Sequence, residues 1–265
     1  MTATYLDAII AAHRLRASQD HREWRDRHVP TVTRASLRSA IENHRPSGVA
    51  VIAEVKRRSP SKGWLAPDLD AAATARLYAN AGASGISVLT DEPHFGGSLD
   101  DLSAAAAAVG TPLLRKDFTV APNDVLDAAE HQASAILLIV AALTDDELSS
   151  LHTIATDLGL DVLVEVHDEV EARRAVDLGA TMIGVNQRDL HTFDVDAERA
   201  ERVASSLPRD VVSVAESGFS SVAAVSRAAS SGFDAVLVGE TFVRSAAPGD
   251  EVRSYIGHPI GRRQQ

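Results

Sequence analysis

The chain has 265 residues and a formal net charge of −11, with 26 Lys and Arg against 37 Asp and Glu. This acidity argues against nucleic acid or an anionic membrane surface as the main partner, because such surfaces bind to a concentrated basic face. The absence of cysteine excludes disulfides, thiolate catalysis and cysteine-ligated zinc. The N-terminus lacks a basic start before its short apolar run, and no apolar run is long enough to cross a membrane. We therefore expect a soluble cytoplasmic protein.

The first 45 residues are predicted to form an N-terminal helical extension, residues 1–45. Two helix-like segments, Tyr5 to Gln19 and Ser36 to His44, flank the charged stretch HREWRDRHVP. Interleaved Arg, His and Trp could indicate a nucleic-acid arm. In a chain this acidic, a solvated charged linker is the better interpretation.

Eight apolar runs of strand length follow the extension. They read VAVIAEV (49–55), ISVLT (86–90), PLLRKD (112–117), AILLIV (135–140), VLVEVH (162–167), MIGVN (182–186), VVSVAES (211–217) and AVLVGE (235–240). Ala-rich segments with helical spacing separate them, and strands that are apolar on both faces and alternate with helices are typical of parallel sheets. The sequence therefore predicts an α/β fold, a (β/α)8 TIM barrel. Its core would cover residues 49–245 within a single domain, 1–265.

Polar residues interrupt these apolar runs near their carboxyl ends, where the active sites of such barrels form. One charge in such a position would ordinarily belong to a structural ion pair. Several at equivalent positions indicate a shared site, because burying charges is costly unless they converge. The residues concerned are Glu54, Lys56, Lys116, Glu165, Asn186, Glu216, Ser217, Gly239 and Glu240.

The chain has only three lysines, and two of them belong to this set. Residues two apart on a strand share a face, so Glu54 and Lys56 are predicted to pair, and Lys116 points inward when Arg115 and Asp117 point outward. Arg stays protonated, whereas a lysine in a desolvated pocket can have its pKa lowered and release a proton. Lys116 is therefore a candidate proton donor. A general preference for Arg that happened to leave a few lysines is the alternative, for Lys62 above all.

The loops ESGFSS and VGETF, after the seventh and eighth runs, predict a phosphate site, because barrels often bind phosphate there through backbone N–H groups. The hydroxyl of Ser59 could add to it. No metal site is predicted, since His94, His131, His152 and His191 lie far apart in sequence and His167 lacks a second ligand at helix or strand spacing. These histidines are expected at the surface or at helix caps. No nucleotide-binding motif occurs.

Seven motifs in this order, AEVKRRSPSKG, SVLTDEPHFGGS, LLRKDF, LVEVH, IGVNQRDL, VAESG and VLVGE, resemble the indole-3-glycerol phosphate synthase family between about Val49 and Arg244. The resemblance implies a lyase of tryptophan biosynthesis. Its substrate would be 1-(2-carboxyphenylamino)-1-deoxyribulose 5-phosphate, which is closed to an indole with loss of carbon dioxide and water. No cofactor or metal is implied.

The same resemblance implies roles for individual residues. Lys116 would protonate the ribulose carbonyl oxygen, Lys56 would hold the carboxylate beside Glu54, and Glu165 would transfer protons during dehydration. Asn186 and Glu216 would orient hydroxyls or lysines. The substrate-binding residues implied are Ser59, Ser217, Gly218, Gly239 and Glu240 near the phosphate, Pro60, Phe95, Phe118 and Leu137 around the anthranilate ring, and Arg188 at the carboxylate.

Three alternatives remain open at this point. A sugar-phosphate isomerase on the same barrel would use an Asp or Cys acid–base pair, and a Schiff-base aldolase would use a nucleophilic Lys. A non-catalytic barrel could keep the phosphate pocket alone. The motifs also leave Trp64 without a role and place Gln187 where many relatives have Asn. A monomer or weak homodimer is expected.

Overall fold

Eight parallel strands close into a barrel in the computed structural model, which describes residues 5–27, 29, 34–60, 62–188 and 195–263. The strands are β1 (Ala50–Val55), β2 (Gly85–Leu89), β3 (Leu113–Lys116), β4 (Ala135–Ile139), β5 (Asp161–Val166), β6 (Met182–Asn186), β7 (Val212–Glu216) and β8 (Ala235–Val238). Each pairs with its sequence neighbours, and β1 pairs with both β2 and β8. The predicted (β/α)8 TIM barrel is confirmed.

Helices precede the barrel and surround it. They are α1 (Tyr5–Ser18), α2 (Leu37–His44), α3 (Ala71–Asn80), α4 (Glu92–Phe95), α5 (Leu99–Ala108), α6 (Pro122–Glu130), α7 (Asp145–Asp157), α8 (Glu169–Asp177), α9 (Ala197–Ser206), α10 (Val222–Ser230), α11 (Glu240–Arg244) and α12 (Pro248–Tyr255). Many begin at a Ser, Thr or Asp whose side chain accepts a backbone N–H bond from the first turn, as Ser36 and Thr144 do. Such caps fix where the helices start.

The strands agree with the predicted runs to within two residues at each end, and the largest difference is at the eighth run. The eighth run was predicted to extend to Glu240, but β8 ends at Val238 and Glu240 begins α11. Two helices, α11 and α12, follow this strand, and Pro248 lies in the first turn of the second. A short antiparallel hairpin, Arg58–Ser59 with Gly63–Trp64, was not predicted.

The barrel interior shows how the fold positions polar side chains. Alternation along the strands turns Ile52, Leu114, Leu163 and Val214 into a buried cluster inside the barrel. Two residues further along, the same inward face carries Glu54, Lys116, Glu165 and Glu216, and Asn186 holds the equivalent place on β6. The charged residues therefore form the uppermost layer of an otherwise apolar core.

The N-terminal extension contacts both ends of this barrel, and its presence confirms the predicted helical extension. Leu37 and Ile41 of α2 are fully buried and join the interior cluster, so α2 closes the amino-terminal end. Burying side chains of this size contributes about 1.5–3 kcal/mol each. At the opposite end, Leu6 and Ile9 of α1 line the cavity at the barrel mouth.

The described part of the charged stretch between α1 and α2 is largely exposed, as predicted for a solvated linker, but two of its arginines form ion pairs with the barrel. Arg22 and Arg27 both contact Asp127 of α6, at 2.8 and 2.6 Å, and Arg27 also pairs with Glu130 at 2.7 Å. The described part of the stretch, which includes a short 3-10 turn at Trp24–Asp26, is therefore held against the barrel. Arg22 and Arg27 are neutralised by carboxylates of the same chain. Among the described helices, none combines the length and apolar character that crossing a membrane requires.

Candidate active site

A cavity of about 760 Å³ opens at the carboxyl ends of the barrel strands. The structure brings all of the residues predicted for the site into its lining. These are Glu54, Lys56, Ser59, Pro60, Phe95, Lys116, Phe118, Leu137, Glu165, Asn186, Arg188, Glu216, Ser217, Gly218, Gly239 and Glu240. Because they come from six of the eight strands, β1 and β3 to β7, and from the segments that follow six strands, only the closed barrel brings them together.

Lys116 and Glu165 form the centre of the site. The Nζ atom of Lys116 donates a hydrogen bond to Oε2 of Glu165 at 3.0 Å and lies 3.4 Å from Oε2 of Glu216. The other oxygen of Glu165 accepts a hydrogen bond from the amide of Asn186 at 3.0 Å. The side chains of Glu165 and Glu216 are 3% and 2% exposed, so these contacts are shielded from water. Lys116 points inward as predicted.

The predicted lowering of the Lys116 pKa is wrong for this structure. Burial alone would lower the pKa, but the carboxylates of Glu165, Glu216 and Glu54 outweigh burial and raise it. A sequence shows that a lysine is buried, but it does not show how many carboxylates converge on it. Lys116 is therefore held as an ammonium, the protonated form that an acid catalyst needs before reaction.

The two buried glutamates beside Lys116 titrate in opposite directions. Burial alone would raise the pKa of Glu165, but Lys116, His167 and the Asn186 amide outweigh it and lower the pKa. Burial also raises the pKa of Glu216, and the neighbouring Glu165 carboxylate adds to that rise against the opposing effect of Lys116. One carboxylate is thus an ionised base and the other holds its proton more firmly. Carboxyl groups whose pKa values diverge in this way suit separate acid and base roles.

Glu54 and Lys56 form the predicted ion pair, with Nζ and Oε1 2.5 Å apart. Both residues face the cavity, as the two-residue spacing requires. Gly239 lies directly against this pair, and a Cβ at that position would overlap the Glu54 carboxylate. The glycine therefore leaves the space that the pair occupies.

The loop after β7 turns sharply at the cavity wall. Ser217 has a φ of 70° and Gly218 a φ of 78°, so two consecutive residues adopt the left-handed conformation. Residues other than glycine rarely adopt it, and such strain is found most often at functional sites. Arg244 of α11 also lines the cavity and brings a cation that the sequence did not indicate.

An apolar wall faces the charged centre. Phe95 and Phe118 lie with ring centroids 6.2 Å apart, beside Leu137 and Pro60. The helix α1 completes this wall with Leu6 and Ile9, which the sequence did not assign to the site. A signal did exist, because the two residues stand three apart and so share one helix face. The sequence does not show which surface that face covers.

His13 ties α1 to the barrel. Its Nε2 atom lies 2.7 Å from Oδ2 of Asp91, with Asp117 at 3.9 Å. Within the described ranges these three buried residues are the only group whose spacing could hold a metal ion. Asp117 already contacts Arg115 at 2.8 Å and Thr90 at 2.5 Å. The protein's own donors therefore satisfy the trio, which joins α1 to the loops after β2 and β3.

The structure shows the contacts of Trp64 and Gln187, the two residues that the motifs left open. Trp64 is 57% exposed, lies near Arg58 and packs against Gly96, where a Cβ would stand 2.8 Å from its ring. Gln187 donates its amide to the Ser217 carbonyl oxygen at 3.2 Å and thereby links the loops after β6 and β7. Both stabilise loops that border the cavity.

The structure corrects the expectations for Lys62 and His167. Lys62, expected to be incidental, lines the cavity. His167, expected at the surface or at a helix cap, is largely buried, with Nε2 3.6 Å from Glu165. His191 lies outside the described residues.

The closed barrel, with a ring of opposed charges at the carboxyl ends of its strands, has the architecture of the (β/α)8-barrel class of enzymes. A family model described as indole-3-glycerol phosphate synthase matches residues 5–255. The chain belongs to the indole-3-glycerol phosphate synthase family. It is accordingly a carbon–carbon lyase of tryptophan biosynthesis, as the motifs implied.

Similar proteins agree with this placement. Indole-3-glycerol phosphate synthase of a Nocardioides species is 51% identical over 83% of this chain and 85% of its own. That of Mycolicibacterium vanbaalenii is 46% identical over 97% of both chains. Among solved structures, a thiamine phosphate pyrophosphorylase from Pyrococcus furiosus superposes with a TM-score of 0.60 at 14% identity, covering 80% of this chain and 95% of that one. This last likeness shows the shared fold alone.

Proposed function

We propose that Lys116 and Glu165 are the acid and base with which this enzyme closes the indole ring of 1-(2-carboxyphenylamino)-1-deoxyribulose 5-phosphate. In the first step the ring carbon that bears the carboxylate attacks the ribulose carbonyl, and Lys116 protonates the oxygen. Loss of carbon dioxide then restores the aromatic ring. In the last step the hydroxyl leaves as water while Glu165 removes a proton from the adjacent carbon.

The observation that carries this proposal is the buried contact of 3.0 Å between Lys116 and Glu165. Its raised pKa does not prevent the lysine from acting, because the alkoxide that forms on ring closure is a stronger base than an amine. Glu165, with its lowered pKa, is ionised and ready to accept a proton. A base must be deprotonated at the working pH in order to act.

The remaining residues of the cavity bind and orient the substrate. Lys56, positioned by Glu54, faces the carboxylate together with Arg188, and Asn186 and Glu216 hold Glu165 and Lys116 in place. The phosphate is bound at Ser59, Ser217, Gly218, Gly239 and Glu240. Pro60, Phe95, Phe118 and Leu137 contact the anthranilate ring. The Schiff-base alternative requires a neutral lysine, but Lys56 and Lys116 are each ion-paired with a carboxylate.

Other expectations remain predictions. The reaction changes no oxidation state that would call for a redox cofactor, and its proton transfers fall within the reach of the residues present. We further propose a single domain that works as a monomer or weak homodimer in the cytoplasm, with a small phosphorylated substrate and no nucleic-acid partner. Size measurement in solution and separation of cell fractions would test the last two points.

Growth of indole fluorescence on adding the substrate to purified protein tests the central proposal. The variant K116M should keep the fold and lose turnover by about 10²–10⁴-fold, and K116R should not restore it, because its guanidinium does not release a proton. Arg76→Met on the exposed face of α3 serves as the control for losing a cation. Substrate binding without indole formation by the wild type would leave only a phosphate-binding barrel, and near-normal turnover by K116R would contradict the proton-donor role.

A further inference from the structure

His167 stands behind Glu165, outside the cavity lining. Its ring is held on one side by Glu171, whose Oε2 lies 3.0 Å from Nδ1 and also accepts the backbone N–H of His167 at 2.8 Å. On the other side Nε2 points toward Oε1 of Glu165 at 3.6 Å, which is too long for a hydrogen bond. Within the described part of the chain this buried nitrogen has no hydrogen-bond partner. A buried polar atom left unpaired next to a catalytic base calls for an explanation.

The two oxygens of Glu165 face two different nitrogens. Oε1 accepts the Asn186 amide at 3.0 Å and also faces Nε2 of His167 at 3.6 Å, whereas Oε2 accepts a hydrogen bond from Nζ of Lys116 at 3.0 Å. A carboxyl group that takes up a proton on one side can deliver it on the other side by rotating about its Cγ–Cδ bond. The arrangement therefore joins the histidine to the lysine through a single carboxylate.

The proposed reaction needs such a connection, because it consumes a proton. The carbonyl oxygen takes up one proton on ring closure and a second when it leaves as water, whereas the base removes only one from carbon. The substrate carboxylate departs as neutral carbon dioxide, so one proton per turnover must come from solvent. Lys116, if it donates both times, must be reprotonated in between.

The charges around the ring favour an imidazolium. The ionisable groups that face it are Glu165 on β5, Glu171 on α8 and Glu216 on β7, with Lys116 beyond Glu165. Burial alone would lower the pKa of His167, but the three carboxylates outweigh it and raise the pKa. Glu171 is 18% exposed at its side chain, so water reaches this group of residues through it.

We propose that His167 reprotonates Lys116 through Glu165 during each turnover. The Nε2–H bond of the imidazolium breaks as an O–H bond forms on Oε1 of Glu165. Rotation of the carboxyl group about its Cγ–Cδ bond then turns this O–H toward the neutral amine of Lys116, where the O–H bond breaks as an N–H bond forms on Nζ. Solvent returns the proton to the neutral ring on the side of Glu171. His167 touches no reacting atom and is therefore a positioning residue. This inference rests on the proposed function, in which Lys116 and Glu165 are acid and base.

The pH dependence of kcat tests the relay. In the wild type, kcat should fall as pH rises through the pKa of His167, because the neutral ring has no proton to supply. His167→Gln should abolish this alkaline fall in kcat and lower kcat about tenfold or more, with KM unchanged. The expected loss is smaller than the 10²–10⁴-fold loss typical of a residue that exchanges a proton with the substrate itself. Glu171→Gln should move the limb about one pH unit lower, because an adjacent anion favours the charged ring. Glu169→Gln removes a carboxylate from the same helix, where it faces Arg202, and should leave the limb in place.

The outcomes distinguish a purely structural role of His167 from a role in supplying protons. An unchanged limb in His167→Gln or in Glu171→Gln would overturn the relay, and so would a rise in KM at constant kcat. Glu171→Gln keeps the test decisive if His167→Gln does not fold. A parallel Glu165→Gln measurement separates the two proposals. Full activity of Glu165→Gln would refute the role of Glu165 as the base, and the relay with it. An inactive Glu165→Gln together with a His167→Gln that behaves like the wild type would refute the relay alone.

Discussion

Gly239 lies against the carboxylate of Glu54 so closely that an added Cβ would overlap that group and stand 3.0 Å from Nζ of Lys56. The φ of Gly239 is −124°, a value that any residue adopts. The close approach of the Glu54 carboxylate is therefore what requires glycine here. Gly239, in the loop after β8, thus leaves room for the Glu54–Lys56 ion pair at the carboxyl end of β1.

Gly239→Ala should separate this ion pair. The added methyl group must push Glu54 or Lys56 aside, and overpacking of this kind costs about 1–3 kcal/mol of folding free energy. We expect kcat/KM to fall about 10–100-fold, which corresponds to about 1.4–2.7 kcal/mol of transition-state stabilisation. Steady-state kinetics and urea unfolding measure both effects. Gly110→Ala, where a Cβ meets nothing within 4 Å, is the matched control, and equal effects in the two variants would refute the steric argument.

Ile9→Ala should weaken substrate binding. Ile9 is 2% exposed and belongs to the apolar wall at the mouth, so shortening it removes contact area from the proposed anthranilate pocket. The expected result is a KM raised tenfold or more, because three carbon atoms are lost and a single methylene in a pocket is worth about 10–200-fold, with a smaller change in kcat. Leu15→Ala changes a side chain of the same helix that is 60% exposed. If both variants kept the wild-type KM, α1 would not form part of the binding site.

Leu37→Ala should reduce stability without changing the chemistry. The side chain is fully buried at the amino-terminal end of the barrel, opposite the mouth, and Gly85 leaves room for it. Truncation should lower the free energy of unfolding by about 2–5 kcal/mol. Urea unfolding measures this, while kcat well below the melting temperature stays near the wild-type value. Leu77→Ala, at a site 38% exposed, should cost about 0.5 kcal/mol or less.

Glu216→Gln should flatten the pH dependence of stability. The folded pKa of Glu216 is raised, so its contribution is fully present below the unfolded pKa, near 4.3, and is lost as pH rises through the folded pKa. The amide cannot ionise and removes this loss. The difference in melting temperature between variant and wild type should therefore move in favour of the variant as the pH rises from acid to mildly alkaline values. A constant difference would show that Glu216 titrates as it does in the unfolded chain.

The barrel and much of its site could be predicted because their signals are local. A strand buried on both faces must be apolar throughout, so each polar interruption, such as Glu165 or Lys116, stands out near the end of its run. Closure of the barrel then dictates that such interruptions meet. The same logic gave the pairing of Glu54 with Lys56.

What the sequence did not predict depends on contacts between distant segments. The pKa of Lys116 depends on three carboxylates from three strands, and their combined effect reverses that of burial. His167 ends the motif LVEVH, but only the contact with Glu171 one helical turn later shows that its ring is held. Likewise, the sequence does not show that Arg22 and Arg27 pair with Asp127, which lies about 100 residues further along the chain.

The two helices of the N-terminal extension act on opposite ends of one barrel. In barrels of this kind, the carboxyl face is where function is encoded and the amino face is where stability is encoded. Here a single stretch of about 40 residues carries both, with Ile9 at the upper face and Leu37 at the lower one. The position of this stretch before the barrel therefore does not make mutations in it harmless. A mutant library that varies only the loops after the strands would leave out α1, the earliest segment of the chain that lines the cavity.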